Sequence, residues 1–213
     1  MNNELEPGFG LSDVELLSRE TCYQGFLQID KLTLKCRRYA GGWSRTFQRE
    51  LMLRHRGAGV LLYDPLADSV LLVEQFRVGC LDDSQNGPWA LELVAGMLDS
   101  DETAEQVVER EAMEEAGIDI GRLLHIVDYY NSPGGSNERL SIYCAGFVAD
   151  QGGGIFGLAE ENEDIRTVIL SRTAAHKAIE SGRINNAMSI IALQWLELNL
   201  QRVRTELQTG KPQ

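Results

Sequence analysis

The sequence predicts an α+β fold, in which a mixed-sheet sandwich follows a small N-terminal antiparallel β subdomain. Three observations favour this class. The first quarter of the chain contains strand patterns and a hairpin signal, the remainder mixes strands with helices, and the helices do not follow the strands in a regular βαβ alternation. A doubly wound parallel sheet requires that alternation. The 213 residues suffice for one domain with a small appended one.

The N-terminal subdomain is predicted from strand patterns that end at about Arg54. The segment "LQIDKLTLKC" alternates apolar and polar residues, and "YAGGW" carries the glycines of a hairpin turn. The segment "RHRGAG" then interrupts the pattern. We therefore divide the chain into a β subdomain at 1–54, a second domain at 55–207 and a C-terminal tail at 208–213.

Strands and helices follow one another irregularly in the second domain. The apolar runs "GVLLYD" and "SVLLVEQF", joined by "PLAD", predict a hairpin, and "LLHIVDYY" and "LSIYCAGFVA" predict two further strands. Helices are predicted from Ser171 to Ser181 and from Asn186 to about Leu207. Ser171 is a suitable N-cap, and Gly182 is a suitable C-terminal stop.

The net charge of −12 narrows the classes of partner. Such a molecule repels nucleic acids and anionic membranes, so we expect neither partner, and a phosphate-bearing substrate must meet cations locally. The N-terminal "MNNELEPGFG" lacks a targeting pattern, and no apolar run reaches the roughly 18 residues of a membrane span. The four cysteines are widely spaced without a C-x-x-C pair, which predicts free thiols. We expect a cytoplasmic protein.

An acidic helix is predicted within residues 96–118, "GMLDSDETAEQVVEREAMEEAGI". Thr103 and Gln106 form a capping box that begins the helix, and Gly117 suits the left-handed residue that ends it. At 100° per residue, Val107 and Val108 define the inward face. The acids divide between this face, which carries Glu111, Glu114 and Glu115, and the opposite face, which carries Glu105 and Glu109.

Three carboxylates on an apolar face require cationic partners, because desolvating an ionised carboxylate costs several kcal/mol. Arg110 can compensate one of them. A hard metal ion, Mg²⁺ or Mn²⁺, suits the remaining oxygen ligands, and Glu111 and Glu115 meet at i and i+4. In the alternative reading, Glu114 and Glu115 pair near the helix end and Glu111 extends to water, which would leave an acidic interaction helix.

The segment also matches the Nudix box: Gly, five residues, Glu, seven residues, Arg-Glu, an aliphatic residue, any residue, Glu-Glu, any residue, Gly and an aliphatic residue. The matching positions are Gly96, Glu102, Arg110, Glu111, Ala112, Glu114, Glu115, Gly117 and Ile118. The chain therefore resembles the Nudix hydrolases. Ala112 is smaller than the aliphatic residue expected at this position. The difference affects packing and involves no metal ligand.

The resemblance extends over nearly the entire chain to the ADP-ribose pyrophosphatase branch. It rests on "EQFRV", "VAGM", "SPGGSNER", "GLAEENEDI" and "INNAMSIIALQWL", and on Pro133 about sixteen residues after the box. It implies an α/β/α sandwich and Mg²⁺-dependent hydrolysis of ADP-ribose to AMP and ribose 5-phosphate, with two or three ions per site and Mn²⁺ as a substitute. The alternatives are another substrate, such as GDP-mannose, and a non-catalytic nucleotide-sensing domain.

The same resemblance implies roles for individual residues. Metal ions would be held by Glu111, Glu115, the carbonyl of Ala95, Glu114 (as a ligand or a partner of ligands) and Glu163. Glu161 would be the catalytic base, and Gly96, Glu102, Arg110 and Gly117 would shape the box. Substrate would be bound by Phe26, Arg49, Arg54, Arg77, Ser132, Gly134 and Glu138.

Several of these residues have simpler readings. The loop "AEENED" could be a solvated acidic loop, Phe26 could be core packing, the arginines could be surface charges, and "SPGG" could be a simple turn. In the family, the aromatic residue matching Phe26 stacks on adenine from the partner subunit. If Phe26 acts in this way, the protein is a homodimer, which suits an N-terminal sheet too small to be stable alone.

Overall fold

The computed structural model describes residues 6–99, 101–158, 160 and 162–208. The chain divides into two compact units: the first comprises Met1–His55 and Tyr130–Glu138, and the second comprises Arg56–Tyr129 and Arg139–Gln213. The first unit therefore ends close to the predicted boundary at residue 54, and it also includes a later segment that carries most of "SPGGSNER".

The first unit contains a three-stranded antiparallel sheet in the order β1-β2-β3. Its strands are β1 (Val14–Gln24), β2 (Gln28–Cys36) and β3 (Phe47–Leu53). The hairpin predicted at "YAGGW" is confirmed, because Arg37 and Trp43 pair across a turn in which Gly41 and Gly42 have φ values of 89° and 71°. Such values favour glycine because it lacks a Cβ.

The second unit is built on an eight-stranded mixed sheet. Its strands are β4 (Gly57–Asp64), β5 (Ser69–Phe76), β6 (Trp89–Glu92), β7 (Val94–Met97), β8 (Leu123–Tyr130), β9 (Arg139–Gly146), β10 (Ile155–Phe156) and β11 (Ile165–Ser171). The main path runs β10-β11-β5-β4-β9-β8, and the β4–β9 pair is parallel. The hairpin predicted at "PLAD" is confirmed by the antiparallel pairing of β4 with β5.

The sheet forks between β4 and β5. These strands pair only where Leu62–Asp64 meets Ser69–Leu71. Beyond that point, β6 pairs with β5 and β7 pairs with β4. Leu93 is the single residue between β6 and β7, where the chain changes from one partner strand to the other.

Both faces of the sheet are covered by apolar packing. Every residue of β4 is buried, and successive side chains alternate between two cores: Val60 and Leu62 join one, and Leu61 and Tyr63 join the other. This alternation follows from the two-residue period of a strand. The first core contains residues of α1 (Ala104–Ala116), and the second contains residues of α2 (Arg172–Glu180) and α3 (Ala187–Gln208). The predicted sandwich is thus confirmed.

The helix ends match their sequence signals. Thr103 and Gln106 form the capping box of α1, and Gly117 ends the helix with a φ of 66°. Ser171 caps α2 through the N–H of Ala174. Among the residues that the structure describes, no helix is both long and apolar enough to cross a membrane.

Sequence patterns do not predict β6, β7, β10 or β11. The first three contain only two to four residues each, too few to show a reliable period. β11 is longer, but its run "IRTVILS" directly precedes α2 without a turn signal between them. Of the predicted tail at 208–213, Gln208 belongs to α3, and the other positions lie outside the described residues.

Candidate metal centre

The acidic helix α1 turns the predicted face inward. Val107, Val108 and Ala112 are fully buried, and Glu115 is only 3% exposed. Glu109 lies on the exposed face, as predicted. The alternative reading, in which Glu111 extends to water, is wrong, because the Glu111 side chain is only 13% exposed and accepts a hydrogen bond from Arg110.

Glu115 occupies the fork of the sheet. Its Oε2 accepts a hydrogen bond from the N–H of Ala95 on β7 at 3.1 Å, and its Oε1 accepts one from Nε2 of Gln75 on β5 at 3.3 Å. Burial raises the pKa of Glu115 to about 8, and the nearby charge of Glu111 acts in the same direction. The two neutral donors orient the carboxyl group without neutralising its charge.

Arg110 connects the remaining acids of the box. It donates to Glu102 at 3.0 and 3.2 Å, to Glu111 at 2.7 Å and to Glu114 at 3.0 Å. Burial nevertheless raises the pKa of Glu111, which shows that Arg110 does not fully compensate the desolvation of this carboxylate. One arginine shared among three acids leaves net negative charge at the inward face.

Gly96 is required beside Glu111 for steric reasons. A Cβ at position 96 would lie 1.7 Å from Glu111 Oε1. The glycine of the box thus lets a carboxylate lie directly against the backbone of β7. Because the nearest atom belongs to the end of a flexible side chain, a larger residue would displace the carboxylate rather than prevent folding.

Gly96→Ala is therefore expected to reduce hydrolysis of a diphosphate substrate by about 100-fold, the cost of misplacing a reacting group by about 1 Å. The melting temperature should change little. Gly121→Ala is the control, because a Cβ at Gly121 meets nothing within 4 Å. Activity assays and thermal melts of both variants test this, and an active Gly96→Ala enzyme would contradict the steric argument.

Two residues of the acidic loop, Glu161 and Glu163, are expected at this site. Glu163 accepts a hydrogen bond from the N–H of Leu158 at 3.2 Å, and its charge contributes to the raised pKa of Glu111. Glu163 therefore lies within electrostatic range of the inward face of α1. Glu161, the expected base, lies outside the described residues.

Arg77 follows β5 and is held by Glu92 at the end of β6, with Nε 2.6 Å from Oε2. Burial works to lower the pKa of Arg77, but the charges of Glu92, Glu115 and Glu163 outweigh it and raise the pKa. An oriented guanidinium beside the acidic face is suited to a phosphate group that must approach this negative region.

The donor set fits a hard divalent cation. It consists of carboxylates and a backbone carbonyl, which are the oxygen ligands that Mg²⁺ and Mn²⁺ prefer. Burial raises the pKa of both Glu111 and Glu115, so a cation bound there would relieve unfavourable charge. Among the described residues, no three His, Cys, Asp or Glu side chains converge on one point. Instead, Arg110 donates hydrogen bonds to Glu111 and Glu114, and the backbone N–H of Leu158 donates one to Glu163.

The other substrate residues expected from the sequence belong to the first unit. They are Phe26, Arg49, Arg54, Ser132, Gly134 and Glu138. Arg54 and Glu138 are brought together, with Nε 3.1 Å from Oε1, and the Arg54 N–H donates to Asn137 Oδ1 at 2.7 Å. The segment "SPGG" forms a turn in which the Ser132 carbonyl accepts from the N–H groups of Gly135 and Ser136.

Phe26 and Arg49 are exposed within this unit. Phe26 is 85% exposed in the connection between β1 and β2, so the reading as core packing is wrong. Arg49 lies over the ring of Phe47, with its guanidinium carbon 4.7 Å from the ring centre. Both side chains are thus accessible to a ligand or to another chain.

Gln75 and Glu92 carry no sequence signal that marks them as site residues. Gln75 is 5% exposed and donates to Glu115, and Glu92 orients Arg77. Gln75 and Arg77 both belong to "EQFRV", so the motif marked the region. Only the contacts distinguish the buried amide from its neighbours.

The chain is similar in sequence to known proteins. A family model described as the NUDIX domain matches residues 53–186. The ADP-ribose pyrophosphatase of Escherichia coli (strain K12) is 44% identical over 198 residues, which cover 93% of this chain and 94% of that protein. The GDP-mannose pyrophosphatase of Shigella flexneri is 33% identical over 156 residues, which cover 71% and 78%.

The fold is also similar to that of a solved structure. A crystal structure of an ADP compounds hydrolase matches with a TM-score of 0.70 and 18% identity, and the match covers 92% of this chain and 99% of that chain. At this level of identity the comparison shows the fold alone.

Proposed function

The chain belongs to the Nudix hydrolase family, and we propose that it is a pyrophosphatase that hydrolyses ADP-ribose to AMP and ribose 5-phosphate. The observation that carries this proposal is the buried Glu115 at the fork of the sheet, with Glu111 on the same inward helix face. The likeness to a pyrophosphatase of that name over nearly the full length of both chains favours ADP-ribose as the substrate.

Divalent ions are part of the proposal. We assign them to Glu111, Glu115 and the carbonyl of Ala95, with Glu114 and Glu163 as additional ligands or partners of ligands. Mg²⁺ is the expected ion, with Mn²⁺ as a substitute and two or three ions per site. When bound, such ions neutralise the diphosphate and stabilise the charge that builds during displacement at phosphorus.

The protein's own groups hold and orient the reactants. Arg110 and Glu102 form a brace that fixes the carboxylates of α1. Arg77, which Glu92 aligns, would bind a phosphate of the substrate. We assign Glu161 as the base that takes a proton from the water attacking a diphosphate phosphorus, because it matches the family's base and a carboxylate is suited to this role.

We assign substrate recognition to further residues that match those of the family. Phe26 would stack on adenine, Arg49 and Arg54 would bind the diphosphate and nucleoside, and a group of three would hold the terminal ribose, namely Ser132, Gly134 and Glu138. Exposure of the Phe26 ring supports its assignment, because a stacking surface must be free to meet a base.

We further propose a homodimer formed through the N-terminal sheet. Several apolar side chains of β1 and its turn are about half exposed or more, including Leu16, Leu17, Tyr23 and Phe26. Exposed apolar side chains gathered on one strand and its turn are suited to an interface. The four cysteines are free thiols, which suits a reducing compartment, and we place the reaction in the cytoplasm.

Side-by-side turnover of ADP-ribose, GDP-mannose, ADP-glucose and NADH with Mg²⁺ tests the substrate. We expect ADP-ribose to have the highest kcat/KM and to yield AMP with ribose 5-phosphate. The Shigella relative makes GDP-mannose the relevant competitor. A preference for the guanine nucleotide would overturn the assignment. No release of product from any diphosphate, with Mg²⁺ or Mn²⁺, would favour a nucleotide-sensing domain.

A further inference from the structure

The segment "INNAMS" at the start of α3 contacts the fork of the sheet from the second core. Asn186 caps the helix, because its Oδ1 accepts the N–H of Ser189 at 3.1 Å. Its amide group also donates, from Nδ2, to the carbonyl of Leu91 at 2.9 Å. The two ends of one side chain therefore join the helix to β6.

Ser189 supplies the second contact. It is fully buried, and its Oγ accepts the N–H of Leu93 at 3.1 Å. Leu93 lies between β6 and β7, where a change of partner strand interrupts the ladder. A buried N–H without a ladder partner needs another acceptor, and the serine hydroxyl provides it.

Leu91, Glu92 and Leu93 connect two parts of the proposed active site. These parts are the guanidinium of Arg77 and the carboxylates of α1. Glu92, at their centre, orients Arg77. Two residues after Leu93, the N–H of Ala95 donates to Glu115. The backbone from 91 to 95 thus sets the spacing between the phosphate-binding arginine and the carboxylates.

Neighbouring side chains secure the loop that follows Arg77. Asn185 donates to Asp83 at 3.0 Å, Asn86 donates to the carbonyl of Gly182 at 3.0 Å, and Gln85 donates to the carbonyl of Ser181 at 2.9 Å. The connection between α2 and α3 therefore holds both this loop and the fork.

We infer that Asn186 and Ser189 are positioning residues, which fix Leu91–Leu93 and thereby place Arg77 and the Ala95–Glu115 pair for binding of a divalent ion and a diphosphate. The inference rests on the proposed function for its kinetic consequence. Its effect on ion binding is a separate measurement. If Asn186 acted only as a helix cap, replacing it would not change ion binding.

Asn186→Asp separates these roles, because aspartate is an equally good N-cap but has no donor for the Leu91 carbonyl. We expect the melting temperature to stay near that of the wild type, while Mn²⁺ affinity, measured by isothermal titration, falls by about tenfold, as is typical when partners of metal ligands are lost. Ser189→Ala should weaken Mn²⁺ binding similarly. KM for ADP-ribose should rise and kcat should fall in both variants.

Ser171→Ala is the matched control, since it removes the serine cap of α2 but not a contact to the fork. It should lower the melting temperature and leave Mn²⁺ affinity unchanged. Wild-type Mn²⁺ affinity in Asn186→Asp would overturn the inference, whether or not Ser189→Ala folds. If the wild-type protein hydrolyses no nucleoside diphosphate, the proposed function fails, and the titration still tests the positioning role.

Discussion

Replacing Glu111 by glutamine is expected to lower kcat/KM for ADP-ribose by more than about 100-fold at saturating Mg²⁺. Loss of a group that only supports a metal ligand costs about 10- to 100-fold, and loss of a ligand should cost more. Glutamine has nearly the same size and still offers Arg110 an oxygen acceptor in place of the 2.7 Å contact. The fold should therefore persist, and thermal melts without metal should show this.

Glu109→Gln is the matched control for this experiment. It removes a carboxylate from the same helix, but from its exposed face, and should keep full activity. Mn²⁺ titration should show weakened binding in Glu111→Gln only. Full activity of Glu111→Gln at saturating Mg²⁺ would show that the metal assignment is wrong.

Replacing Glu115 by glutamine is expected to stabilise the metal-free protein at pH 8 while abolishing activity. Burial raises the pKa of Glu115 from 4.5 to about 8 in the folded state. Between these values the unfolded chain loses the proton and the folded chain retains it. Stability therefore falls as pH rises through this window, and above pH 8 the whole contribution of the protonated group is lost.

At about 1.4 kcal/mol per pKa unit, the shift of the Glu115 pKa from 4.5 to about 8 corresponds to roughly 4 kcal/mol at pH 8. Glutamine cannot ionise, so in EDTA Glu115→Gln should melt roughly 10 °C above the wild type at pH 8 and close to it at pH 4. Added Mg²⁺ should stabilise the wild type more strongly at pH 8 than at pH 5, and the variant at neither. Equal melting temperatures of the two metal-free proteins at pH 8 would contradict the buried-charge argument.

Local signals in the sequence were sufficient for most of the fold. The capping box at Thr103 and the glycine at 117 give the limits of α1, and Ser171 gives the start of α2, because caps act through neighbours within one turn. The short strands β6 and β7 could not be predicted in this way. They exist because β4 and β5 separate and leave ladder positions open.

The direction of the acids on α1 was also available from the sequence, since helical periodicity places Glu111 and Glu115 beside the valines. The contacts that complete the centre join positions far apart in the chain. Gln75 meets Glu115 across 40 residues, and Ser189 meets Leu93 across 96. No local period or capping signal encodes such pairs.

The sequence by itself determined the sandwich of helices on a mixed sheet, the family and the helix face that carries the acids, because these depend on periodicity, caps and the spacing of a short motif. Only the tertiary structure decided which donors hold each carboxylate and why Gly96 must lack a side chain. These features arise where α1 packs against the fork of the sheet, on the face opposite to α3. Burial at that junction gives Glu115 its raised pKa, and desolvation depends on the three-dimensional surroundings of a group rather than on its neighbours in sequence.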